Sequence, residues 1–75
     1  MKIYYTVEEE RIAGEDREHL AFGIAAHQEN GARVAGISSL FFDRERAEQF
    51  AELCNRLGLS PRHLDEVAED VLAEP

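Results

Sequence analysis

The dipeptide Asn30-Gly31 constrains this chain more than any other feature, because it stands between two stretches of alternating side chains. Both residues tolerate the positive φ that a two-residue type I′ turn demands, so the pair marks a β-hairpin and fixes its register. With Asn30 and Gly31 as the loop, Glu29 faces Ala32, and the cross-strand pairs are Leu20 with Phe41, Phe22 with Ser39, Ile24 with Ile37 and Ala26 with Ala35. The larger apolar residues of both strands then fall on one face, which is what a half-buried sheet requires. The strands run over about 19–29 and 32–41.

Upstream, residues 2–12 open with β-branched and aromatic residues in period two, placing Ile3, Tyr5 and Val7 on one side of a first strand. The turn-rich Ala13-Gly14-Glu15-Asp16 leads into the hairpin, and pairing is expected to set Tyr5 against Ile24. Downstream, the period changes to that of a helix. Asp43 is a good N-cap for a helix over 44–57, with Ala47, Phe50, Ala51, Cys54 and Leu57 on its apolar stripe and Gly58 to end it. Ser60-Pro61 starts a second helix over 61–73, with Leu64, Val67, Ala68, Val71 and Leu72 facing inward. The order β-β-β-α-α predicts a single α+β domain, a three-stranded antiparallel sheet with both helices on one face.

A chain of 75 residues has room for one core and buries only about 60–65% of the surface it exposes when unfolded, so a deep enzyme cleft is not expected. Self-association would help so small a core. Sixteen acids against eight bases repel phosphate backbones and disfavour direct nucleic-acid binding. After Val7 the chain meets Glu8, Glu9 and Glu10, and no apolar run approaches the length of a signal peptide or membrane span. The single cysteine, Cys54, cannot form an internal disulfide. A cytoplasmic protein is expected, without membrane association.

The strand Tyr4-Tyr5-Thr6-Val7, the triplet Phe22-Gly23-Ile24 and above all the run from Cys54-Asn55-Arg56-Leu57-Gly58-Leu59-Ser60-Pro61-Arg62-His63-Leu64 to Asp65-Glu66-Val67-Ala68-Glu69-Asp70-Val71-Leu72 resemble a family of small bacterial single-domain proteins of unknown function. The resemblance covers nearly the whole chain. It implies a compact bacterial cytosolic protein and carries over no activity, cofactor or catalytic residue.

Residues that could carry chemistry are few. Cys54 with His19, His27 or His63 is the only thiol–imidazole combination available, and Cys54 lies on an apolar helix stripe where a cysteine acts as a small hydrophobe. One cysteine and three scattered histidines do not make a zinc site, and no calcium-binding loop is present. His63, three residues after Ser60, is expected to cap or pack at the start of the second helix. No catalytic set, metal site or cofactor is therefore assigned, and a non-enzymatic role is expected.

Two surfaces remain as candidates for recognition. On the sheet face away from the helices, Tyr4, Thr6, Gly23, Ala25, His27, Gly36 and Ser38 lie together, joined by Ala21, Val34 and Leu40. Solvent-facing strands usually carry bulky polar residues, so a flat field of Gly, Ala and Ser beside Tyr4 points to something lying on it, a second copy of the chain or another protein. The alternative is the acidic side of the second helix, Asp65, Glu66, Glu69 and Asp70, which suits a basic partner, as in an acidic inhibitor or nucleic-acid mimic.

Overall fold

The computed structural model describes residues 2–73 and contains the expected α+β arrangement. Strands β1 (Ile3–Ala13), β2 (Glu18–Gln28) and β3 (Arg33–Phe41) form an antiparallel sheet in the order β1-β2-β3. Helix α1 (Arg44–Leu57) follows directly, and a single 3-10 turn, Pro61–His63, leads into α2 (Leu64–Ala73).

The hairpin between β2 and β3 is closed by three residues rather than two. The Gly31 N–H donates to the Gln28 carbonyl (2.8 Å), and the Gln28 N–H donates to the Ala32 carbonyl (2.9 Å). Glu29, Asn30 and Gly31 thus form the loop, and only Gly31 takes positive φ, at 90°. Asn30 contributes through its side chain, whose Oδ1 accepts from the Ala32 N–H at 2.9 Å. A turn followed by a left-handed glycine is the other common hairpin solution for such a sequence.

This loop leaves His27 opposite Arg33, one residue out of the expected register. A bulge beside Arg33 and Val34 restores it, so Ala26–Ala35 and Ile24–Ile37 pair as expected, with Ala25 opposite Gly36. A second irregularity follows, where Phe22 pairs with Phe41 instead of Ser39, and the expected Leu20–Phe41 pair does not form. Ser39 sits inside this bulge at φ 52°, the only non-glycine with positive φ among the described residues. The β1 register also differs by two residues, with Tyr5 opposite Ala26 and Val7 opposite Ile24. An even slip leaves every side chain on its original face, which is why the core composition survives these corrections.

Helix α1 is capped at both ends. The Asp43 side chain accepts from the Glu45 N–H (3.0 Å). Gly58 takes φ 60° while its N–H and that of Leu59 reach back to the carbonyls of Asn55 and Cys54. Ser60 stands at the N-cap position, but its hydroxyl makes no capping hydrogen bond. Instead its carbonyl accepts from the His63 N–H (2.9 Å), which closes the 3-10 turn. The core joins Tyr5, Phe22, Ile24, Phe41, Phe50, Cys54 and Leu64, with Phe41 and Phe50 edge to face at 5.7 Å. Leu57 and Leu72, expected on the buried stripes, are 61% and 51% exposed.

Beyond Phe22 the sheet narrows, because β3 ends and, among the described residues, Glu18–Ala21 keep β1 as their only strand neighbour. The protruding ribbon accounts for a radius of gyration of 12.8 Å, against about 11 Å for a compact chain of this length.

Candidate functional site

On the face away from the helices, strand alternation aligns Tyr4, Thr6, Glu8 and Glu10 of β1 with His27, Ala25, Gly23 and Ala21 of β2. No helix covers this face, yet Ala21 and Ala25 are 0% exposed and Gly23 is buried. The chain's own long side chains lie across them. The Tyr4 ring stacks on His27 with centroids 5.2 Å apart, and Thr6 Oγ1 lies 3.0 Å from His27 Nε2. Glu8 pairs with Arg33 at 2.9 Å, and Glu10 accepts from the Ser39 N–H at 2.6 Å and from its hydroxyl at 3.2 Å.

Two bridges therefore run from β1 to β3 over the middle strand, and the small residues of β2 leave room for them. A Cβ on Gly23 would strike the Ile37 carbonyl oxygen, and one on Gly36 would strike the Arg33 guanidinium. The expected bare field of small residues is thus corrected. Its physical reason is that Glu8 and Glu10 continue the alternation begun by Tyr4 and Thr6, while the bulge turns Arg33 onto the same face. Of the remaining candidate residues, Tyr4, Gly36 and Ser38 are exposed, and Thr6 and His27 are half-buried. Val34 lies in the first bulge, 42% exposed, and Leu40 packs against the core instead of the open face.

Asp65, Glu66, Glu69 and Asp70 are all exposed on α2, as their spacing implied. The His63 ring approaches Glu66, with Nδ1 3.7 Å from its carboxylate. Cys54 is 0% exposed, and burial pushes its thiol up from 9.0 to about 11, which suppresses the nucleophilic thiolate. None of the hydrogen bonds among the described residues joins a histidine to Cys54, and no cluster of three or more potential metal ligands occurs among them.

One surface escaped the sequence reading. Phe42, between the end of β3 and α1, is 74% exposed. Beside it, a cavity of about 380 Å³ is lined by Leu40, Phe41, Phe42, Asp43, Arg46 and Leu72. A second cavity of about 250 Å³ is lined by Phe41, Arg46, Gln49, Phe50, Leu53 and Val71. The two meet at Phe41 and Arg46 and make one shallow trough between α1 and α2, with the Arg46 guanidinium 5.3 Å from the Phe41 ring centre. The signal in the sequence was the Phe41-Phe42 doublet at a strand end, since neighbouring strand residues point to opposite sides and both cannot enter one core.

No family model matches the chain, and neither does any curated protein or solved structure.

Proposed function

We propose that this chain is a small, non-enzymatic interaction domain of the cytosol that recognises another protein through the trough between α1 and α2. The observation that carries this reading is the exposure of Phe42, 74%, next to a trough floored by Phe41 and Phe50. An aromatic ring held in water beside partly apolar cavities is the kind of anchor that dominates binding energy once desolvated. The sheet face, where a second copy of the chain or another protein was expected to lie, is the weaker candidate because its ion pair, ring stack and carboxylate bridge already use its polar groups internally. A buried free thiol at Cys54 suits a reducing compartment.

The test is affinity capture from the native host, comparing wild type with Phe42→Asp and with the sheet-face variant Tyr4→Asp. A partner retained by Tyr4→Asp and lost by Phe42→Asp supports the trough. The converse result moves recognition to the sheet face, and equal capture by all three proteins overturns both.

A further inference from the structure

Tyr5 turns both of its main-chain groups away from β2, because they bond the Asn55 side chain. Residues directly opposite in an antiparallel ladder either exchange both hydrogen bonds or both turn away, in alternation along the strands. Ala26, opposite Tyr5, and Ile24, opposite Val7, therefore turn their main chain toward β3, where they meet Ala35 and Ile37. Across each planar trans peptide the N–H points opposite to the carbonyl. The Val34 carbonyl, both main-chain groups of Gly36 and the Ser38 N–H consequently point out of the open side of β3. Val34, Gly36 and Ser38 are all exposed, and none of these groups has a partner in the turns, caps or side-chain bonds of the described residues.

An open strand edge invites another strand, and folded proteins blunt such edges with charges, prolines or bulges. From Val34 to Leu40 this edge has no charged residue and no proline. The bulges on either side of Ala35 and Ile37 limit it, so regular pairing is confined to the stretch from Val34 to Ser38. Within that stretch the outward groups are symmetric about Gly36: a carbonyl at Val34, an N–H at Ser38, and one of each at Gly36. A two-fold antiparallel copy satisfies the whole set, with Gly36 bonding Gly36 and the Ser38 N–H of each copy donating to the Val34 carbonyl of the other.

Charge and packing agree with that register. Arg33 of one copy falls opposite Ser39 of the other, whose N–H holds the carboxylate of Glu10. Each Arg33, paired with Glu8 of its own chain, thus gains a second carboxylate nearby, whereas a parallel in-register strand would set Arg33 beside Arg33. On the core side the half-buried Ile37 meets Ala35 of the second copy, and Gly36 at the axis has no side chain to hold the strands apart.

We propose that two copies of this chain pair β3 to β3 about Gly36, joining their sheets into one. The trough and Phe42 take no part in this contact. The short pairing and the formal net charge of −8 on each copy keep the dimer weak, with a Kd of about 10–100 µM.

The experiment is sedimentation equilibrium of the full chain from about 5 µM to about 1 mM, with quenched amide exchange at both ends of the range. A monomer–dimer equilibrium is expected, in which exchange at Gly36 and Ser38 slows about fivefold or more at the higher concentration while Ala35 and Ile37 are protected throughout. Ser38→Pro removes an N–H used only between copies and should leave the chain monomeric at about 1 mM. Val34→Lys, which places a charge on the edge without touching the main chain, should weaken the dimer about tenfold even if the proline variant folds poorly. Phe42→Asp should dimerise as wild type does. A chain that stays monomeric at about 1 mM overturns the proposal. So does a dimer that leaves Gly36 and Ser38 exchanging freely, survives Val34→Lys unweakened, or is lost in Phe42→Asp.

Discussion

Asn55 holds the main chain of Tyr5 from both sides: the Tyr5 N–H donates to Asn55 Oδ1 at 2.7 Å, and Asn55 Nδ2 donates to the Tyr5 carbonyl at 3.0 Å. One side chain on α1 thereby occupies the outer edge of β1 as a neighbouring strand would. The Tyr5 hydroxyl adds a bond of 2.6 Å to the Leu59 carbonyl just past the helix. Sheet and helix are thus joined by polar contacts beside the apolar ones, and an otherwise open strand edge is closed at that point.

Replacing Asn55 by Ala should destabilise the fold by about 1–2 kcal/mol, since two main-chain groups lose partners in a partly buried place. Asn55→Asp is the sharper variant. Its carboxylate accepts from the Tyr5 N–H but cannot donate to the Tyr5 carbonyl, so at neutral pH it should be no more stable than Asn55→Ala. Urea unfolding of both variants measures the difference, and an Asn55→Asp midpoint equal to wild type would refute the bidentate pairing.

Loop geometry separates two neighbouring residues. Gly31 alone has positive φ, so Gly31→Val should cost at least ~1 kcal/mol, whereas Asn30→Ala should lose only the bond to the Ala32 N–H, about 0.5–1 kcal/mol. A two-residue turn would penalise both positions for their backbone conformation. Thermal or urea denaturation of the pair decides between the loops.

On the sheet face, Gly23→Ala should be more damaging than Gly36→Ala. The added methyl at Gly23 meets the fixed main chain at Ile37, while at Gly36 its closest contact is the mobile end of Arg33. Overpacking against backbone costs about 1–3 kcal/mol. Comparable midpoints for the two variants would mean that the Ile37 main chain gives way to the added methyl as readily as the Arg33 side chain does.

Alkaline pH should weaken the fold. Burial raises the Cys54 thiol to about 11, and burial together with the nearby Cys54 raises the Tyr5 hydroxyl. Each group therefore keeps its proton more tightly when folded than unfolded. The stability this contributes is complete below the unfolded value of 9.0 for Cys54 and is lost as pH rises toward about 11. The melting temperature should fall across that interval, and Cys54→Ala should fall less steeply. Thiol-reactive dye should label Cys54 slowly in native buffer and rapidly in denaturant.

Local patterning was enough to reach the β-β-β-α-α order, the helix over 44–57 and the faces of Ile24, Ala26, Phe50 and Cys54, because period two and period 3.6 are imposed by backbone geometry on each segment alone. Asp43 and Gly58 likewise acted within their own turns of chain. What tertiary structure decided were the quantities that depend on two segments at once. The bulges around Val34 and Ser39 reconcile a three-residue loop with the demand that Ala35 and Phe41 both reach the core. Glu8 and Glu10 have no partner within their own segment, and only the folded sheet brings Arg33 and Ser39 within reach of them across β2. The exposure of Phe42 and Leu72 follows from where β3 stops and how α2 leaves its 3-10 turn, and no periodicity in either segment encodes that separation. Side-chain reach across a sheet and the gap between two helices are set by packing of the whole chain, so they become visible only once it has folded.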